Sequence, residues 1–164
     1  MDTTSYTTYY SSPIGEILIS GTETAIVKVL FCDAPGPESE NLPEVVQLCR
    51  QQVEEYFTGK RKEFELPLQP AGTTFQKQVW QQLHSVAYGK TCSYLDVARA
   101  ISGEKAIRAV GAANGKNPIC LIVPCHRVIG SDGSLTGYAG GLWRKEWLLK
   151  HEGAIQPDTQ LNLF

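Results

Sequence analysis

No apolar run in the 164-residue chain is longer than the five residues 119–123, so nothing in it is long enough to cross a bilayer as a helix. The first eleven residues lack the basic head and apolar core of a secretory signal, and the expectation is a cytosolic protein, or a nuclear one if the source is eukaryotic. The cysteines Cys32, Cys49, Cys92, Cys120 and Cys125 are odd in number and have no framework spacing, which excludes a disulfide-stapled scaffold and leaves reduced thiols as the default. No histidine occurs in residues 1–70, where Cys32 and Cys49 stand 17 apart, so no zinc site is expected there. With 20% charged and 42% hydrophobic residues, 15 Gly and 9 Pro, disorder, coiled coil and collagen are excluded.

What is present is an uneven charge distribution. The formal net charge of -2 divides into about -6 over residues 1–72 and about +5 over residues 73–153, with one further Asp in the tail. An acidic segment ahead of a basic one suggests two domains, the second being the one to meet a polyanion. The expected organisation is an α+β fold. Residues 1–70 form a small sheet-and-helix domain, residues 71–153 a helical domain with a helix-turn-helix, and residues 154–164 a tail in which Leu161, Leu163 and Phe164 pack back or stay mobile.

Ile17 and Ile19 flank Leu18, and a second apolar stretch over residues 26–31 follows Gly21-Thr22-Glu23, a pattern of strands in hairpins. Val45, Val46, Cys49, Val53, Tyr56 and Phe57 then share a helical face that stops near Gly59. Gln69-Pro70-Ala71-Gly72 reads as the linker. Beyond it, Phe75, Val79, Leu83 and Val86 define a helix capped by Thr73 or Thr74. Ser93 and Asp96 approximate a capping box for the next helix, and residues 104–114 form a third after the turn at Ser102-Gly103. In that third helix Ile107, Val110 and Gly111 fall on one side and Arg108, Ala109 and Ala112 on the other. An arginine between two alanines makes an outer face suited to close approach, although an ordinary exposed arginine gives the same pattern.

Residues 119–123 read as a short buried strand, ended by Pro124, with Cys125 presented at its edge beside His126 and Arg127. A thiol becomes a good nucleophile where positive charge or a base favours the thiolate. An inert buried cysteine with a chance neighbour is the alternative, and adjacent side chains on an extended chain point in opposite directions.

Pro124-Cys125-His126-Arg127-Val128, with Arg108-Ala109-Val110-Gly111 and Asn117-Pro118 before it and Tyr138-Ala139-Gly140-Gly141-Leu142, Lys145-Glu146-Trp147-Leu148-Leu149 and His151-Glu152-Gly153 after it, resembles the O6-alkylguanine-DNA alkyltransferases. These are also called methylated-DNA–protein-cysteine methyltransferases. The resemblance runs over roughly half the chain, residues 75–153. It implies repair of double-stranded DNA containing O6-alkylguanine, with O4-alkylthymine as a second candidate, by a monomer needing no cofactor and no membrane. The alkyl group would pass irreversibly to Cys125. His126, acting through a water, would activate the thiol, and Glu152 would hold His126. Asn117 would tie the helix-turn-helix to the active-site segment, Tyr94 would donate a proton towards the leaving guanine, and Arg108 would fill the space of the extruded base. Gln76, Ser93 and Ser131 would contact DNA, and Tyr138, Ala139 and Gly140 would wall the guanine pocket.

Each assignment has a plainer counterpart in the residues themselves. Tyr94 is at core spacing with Val97, Ala98 and Ile101; Asn117 suits a turn; Gln76 and Ser93 suit helix caps; Ser131 suits an exposed loop; and Gly140-Gly141 suits a turn before a helix. A cysteine hydrolase or a DNA-binding module without chemistry are the competing functions. A zinc site built from Cys120, Cys125 and His126 would silence the nucleophile and is not expected.

Overall fold

In the computed structural model, which describes residues 4–157, the alternating N-terminal stretches become β1 (Tyr6–Ser12), β2 (Gly15–Gly21) and β3 (Ile26–Cys32), an antiparallel meander in that order. Ile17 and Ile19 are buried and Leu18 between them is half-buried, as period two requires. The helix α1 (Glu44–Phe57) lies against β1 and β2 and buries Val46, Cys49, Val53, Tyr56 and Phe57. It stops at Thr58 and Gly59, the latter at φ 79°. Gln52, also buried on α1, spans the backbone of Glu65, accepting from its N–H at 2.9 Å and donating to its carbonyl at 3.2 Å.

Loops cover both edges of this sheet. Thr7 of β1 exchanges hydrogen bonds with Ser39, while β3 pairs through Ile26 with Pro67 and Gln69 and through Val29 with Pro118 and Cys120. Such bonds remove the unpaired donors and acceptors that would otherwise template another strand.

The chain divides into two compact units, Met1–Ala71 with Pro118–Ile122, and Gly72–Asn117 with Val123–Phe164. The expected strand over residues 119–123 does not form. Ile119 makes one parallel bridge to Val29, and the Ile122 N–H then donates to the Cys120 carbonyl across Leu121 at φ 72°, a γ-turn of the strained, positive-φ kind. Every residue of the run is at most 7% exposed, so it is apolar because it is enclosed on all sides, and an enclosed run has no period that marks it as a strand.

The second unit is built on α2 (Thr74–Leu83), α3 (Tyr94–Ile101), α4 (Ile107–Gly115) and α5 (Leu142–His151), with the two-residue β4 (Cys92–Ser93) pairing parallel to β5 (Val128–Ile129). Thr73, not Thr74, caps α2, and both α2 and α3 begin with complete capping boxes, Thr73 with Gln76 and Ser93 with Asp96. The helices α2, α3 and α4 pack on one another, and the Trp80 indole N–H donates to the Ala113 carbonyl at 2.8 Å inside that packing. Gly103 at φ 111° makes the turn between α3 and α4, where a side chain would be strained. A single 3₁₀ turn, Glu104–Ala106, then leads into α4.

The phase of α4 is as expected for Arg108, Ala109 and Ala112, all exposed, and for buried Val110. Ile107 departs from the expectation: it is 39% exposed, because the inward ridge of the helix is set by Val110, Ala113 and Asn114 and Ile107 stands at its first residue. The fold is α+β, with a sheet-and-helix unit and a helical unit containing the helix-turn-helix. Leu161, Leu163 and Phe164 lie outside the described residues.

Replacing Thr73 by Ala deletes the acceptor of the Gln76 N–H. The expected cost is about 1 kcal/mol, read as a lowered urea midpoint at unchanged m-value.

Candidate active site

The segment that carries Cys125 is held by one side chain from the last turn of α4 and one from just beyond it. Asn117 Nδ2 donates to the Val123 carbonyl at 2.9 Å, and Asn114 Nδ2 donates to the Cys125 carbonyl at 3.2 Å, all four residues being buried. Between them Pro124, at φ -80° and ψ 62°, makes an inverse γ-turn closed by the Cys125 N–H on the Val123 carbonyl at 2.8 Å. Residues Cys125–Arg127 then form one 3₁₀ turn. Successive side chains in such a turn are about 120° apart. Cys125 and His126 are therefore not forced to opposite faces, as an extended chain would force them.

His126, Arg127 and Glu152 form a buried ionic cluster. Nε2 of His126 lies 2.7 Å from Oε2 of Glu152, at the C-cap of α5. Arg127 donates from Nε to Oε1 at 2.8 Å and from Nη2 to Oε2 at 3.1 Å, and from Nη1 to the Val86 carbonyl at 2.7 Å. Burial raises the Glu152 carboxyl, but the charges and hydrogen bonds of His126 and Arg127 outweigh it and hold the group far below the usual carboxylate range. Burial pushes the His126 imidazole down, and Arg127 and Lys145 add to that against the pull of Glu152. At neutral pH the cluster is an anionic Glu152 and a neutral His126 donating its Nε2 proton. Nδ1 is thereby left as an acceptor, with no partner among the described residues.

A second cluster surrounds Tyr94, the first residue of α3. Its hydroxyl donates to the Thr136 carbonyl at 2.8 Å, and Lys145 Nζ donates to the same carbonyl at 2.7 Å and to the Tyr94 hydroxyl at 3.4 Å. Lys145 is fully buried, with no carboxylate in ion-pair distance among the described residues. Burial lowers its ammonium to about 8 against the opposing effect of Cys125 and Cys92. Tyr94, Ile107, Arg108, Gly111, Thr136 and Gly137 line an open concavity of about 360 Å³, which brings Arg108 and Tyr94 together.

Ser93 and Ser131 share a different depression, of about 420 Å³, with Asp96 also on its wall. Gln76 joins neither; its side-chain carbonyl accepts from the Thr73 N–H in the α2 cap. Tyr138 is buried, Ala139 exposed and Gly140 half-buried in the loop before α5. Burial raises the thiol of Cys49 to about 12 and, joined by the Asp96 carboxylate, that of Cys92 to about 11, so neither is a nucleophile at neutral pH. Among the described residues no three His, Cys, Asp or Glu side chains are arranged to hold a metal ion.

Lys145 and Asn114 are two buried residues at this site to which the sequence attaches no role. Lys145 is one residue of a helix with Arg144 and Lys150 and carries no local sign that it faces inward. Asn114 has a signal: it is three residues before Asn117 and on the inward side with Val110, where a poor helix former needs a reason to sit.

Two family models cover the chain: the ribonuclease-like domain of 6-O-methylguanine DNA methyltransferase over residues 5–70 and its DNA binding domain over residues 74–154. The chain is 47% identical over 155 residues to the methylated-DNA–protein-cysteine methyltransferase of Methanosarcina acetivorans, covering 91% of this chain and 99% of that one. It is 42% identical over 144 residues to the constitutive enzyme of that name from Bacillus subtilis, covering 82% and 87%. The crystal structure of Mycobacterium tuberculosis O6-methylguanine methyltransferase is similar at a TM-score of 0.82 and 38% identity, over 95% of this chain and 97% of that one. The Mycobacterium tuberculosis OGT structure in complex with DNA gives 0.79 and 40%, over 89% and 91%.

The buried cluster makes stability acid-sensitive. Glu152 and His126 are both depressed in the folded state, so each contributes stability that is present above its unfolded value, roughly 4.3 and 6.5, and is lost as pH falls towards its folded value. The urea midpoint should therefore fall from about pH 7 to about pH 5, with His126 acting first, and fall further below about pH 4 as Glu152 takes up a proton in the unfolded chain.

Proposed function

The chain belongs to the 6-O-methylguanine DNA methyltransferase family, and on that premise we propose that it repairs DNA by moving an alkyl group from the O6 of guanine to Sγ of Cys125, once per molecule. The observation that carries this reading is the buried His126, with Nε2 committed to Glu152 and Nδ1 left as an acceptor one residue from Cys125. His126 takes the Cys125 proton at Nδ1 through a water, and Glu152 stabilises the imidazolium that results. The thiolate attacks the alkyl carbon in line, the S–C bond forms as the C–O bond breaks, and the electron pair leaves on guanine. Tyr94 then supplies a proton to the departing base. The thioether has no good leaving group, so the molecule acts once.

An O6 substituent inside stacked DNA cannot meet a thiolate along the displacement axis, so the base must be extruded. Arg108 is the residue that takes its place, on a helix whose outer face otherwise presents the small Ala109 and Ala112 to the minor groove. Gln76, Ser93 and Ser131 hold DNA. Tyr138, Ala139 and Gly140 wall the base, and Asn117 fixes the reactive segment. The protein acts as a monomer within the cell interior and takes O6-alkylguanine, with O4-alkylthymine as a second substrate.

Intact-protein mass spectrometry after incubation with an oligonucleotide containing O6-methylguanine tests the transfer. One methylene mass per protein, on the peptide holding Cys125, is expected; repeated turnover would indicate a hydrolase, and label on Cys92 or Cys120 would reassign the nucleophile. His126→Ala should slow transfer from both duplex DNA and free O6-benzylguanine, by about 10²-fold or more. Arg108→Ala should slow the duplex reaction by about 10-fold or more and spare the free base, which needs no extrusion. Equal losses on both substrates would reduce Arg108 to an electrostatic residue.

A further inference from the structure

We infer that Arg127 is a positioning residue for the transfer: it fixes both oxygens of Glu152, including the one that His126 meets, so that the carboxylate engages the imidazole at Nε2, and it sets a positive charge close to that imidazole. This rests on the alkyl-transfer reading above and extends it to a residue that touches neither Cys125 nor the base in that reading.

Arg127 binds both oxygens of Glu152, Nε to Oε1 and Nη2 to Oε2, the oxygen that also receives His126. Its third contact, Nη1 to the Val86 carbonyl, anchors the guanidinium to the turn after α2, and Tyr88 lies under it at 5.8 Å. Each prong of the fork thus has a fixed partner, and Arg127 is buried. An arginine serving only to tie Val86 to the end of α5 would need a single carboxylate oxygen. The second bond, to Oε2, brings its charge to the atom on which the imidazole depends.

The groups that act on His126 are Glu152 at the end of α5, Arg127 on its own turn and Lys145 on α5. Glu152 favours a protonated imidazole, whereas both cations and burial disfavour it. With Arg127 in place, Glu152 orients His126 through the Nε2–H without charging it at rest, and Nδ1 stays ready for the thiol proton. Without Arg127, Glu152 can rotate and the imidazole gains a proton at higher pH. The reactive form is then lost on the acid side.

The test is the rate of Cys125 alkylation by O6-benzylguanine as a function of pH, for the full-length protein and for Arg127→Met and Arg127→Lys. In Arg127→Met the acid limb should move about one unit to higher pH, with the rate recovering above it. In Arg127→Lys, which keeps the charge and loses the fork, the limb should stay near its original place and the plateau should drop. A lowered plateau with an unmoved limb in Arg127→Met would make Arg127 a structural tie and overturn the inference. Should Arg127→Met not fold, Arg127→Lys decides by imidazole nitrogen NMR: loss of the single Nε2–H tautomer of His126 supports it, and a retained tautomer with the original plateau overturns it. Failure of the alkyl-transfer reading is distinct, since Cys125 of the unsubstituted protein would then take no label.

Discussion

Withdrawing a carboxylate from water costs several kcal/mol unless its oxygens are bonded and its charge is matched, and Glu152 is only 5% exposed. Much of the second unit is arranged around meeting that requirement. Arg127 supplies the matching charge and is itself held by the Val86 carbonyl, so the turn after α2 and the end of α5 are joined through one guanidinium. His126 supplies the remaining bond, and in doing so is confined to one tautomer. The state of the imidazole is thus a consequence of how the fold neutralises a buried charge. Replacing the cluster with apolar side chains would relieve the desolvation and remove the acceptor at Nδ1.

The helix α4 has two opposed duties. Its outer face carries Arg108 between alanines, while Asn114 on its last turn reaches the Cys125 carbonyl, and Asn117, two residues past its end, reaches the Val123 carbonyl. One rigid element therefore sets where Arg108 stands and, through Asn114, where the Cys125 backbone runs. Placing Arg108 and Asn114 on a single helix converts a requirement on two distant side chains into a requirement on helical phase, which packing against α2 and α3 fixes.

Phase and capping were what the sequence displayed most openly. Thr73 with Gln76 and Ser93 with Asp96 are local patterns whose hydrogen bonds close within four residues, and α4 exposes Arg108, Ala109 and Ala112 as its spacing says. Residues 119–123 resemble a strand in sequence because enclosure on all sides erases periodicity, and the γ-turn at Leu121 has no composition of its own. Ile107 shares the helical phase of Val110, but phase does not register that a first-turn residue can overhang the packing. Lys145 was invisible for a different reason: what encloses it is contributed by Tyr94 and Thr136, 51 and 9 residues away in the chain. Cys125, His126 and Glu152 came from their resemblance to a family motif; the bare Cys-His pair left an inert cysteine open.

Lys145 also completes the charge balance. The buried charged side chains described in the second unit are Arg127, Lys145 and Glu152, two cations to one anion. Arg127 and Glu152 satisfy each other, and Lys145 has only neutral oxygens at hydrogen-bond distance, the Thr136 carbonyl and the Tyr94 hydroxyl. An uncompensated ammonium in the interior is unfavourable, which is why its proton is held less firmly than on an exposed lysine. Thiolate charge at Cys125, and to a lesser degree at Cys92, acts on Lys145 in the opposite sense to burial. The buried charged side chains therefore leave one excess positive charge that a single thiolate would cancel. In the proposed alkyl transfer, a cation left unmatched in this way would lower the cost of forming the Cys125 thiolate without requiring a permanent counter-ion.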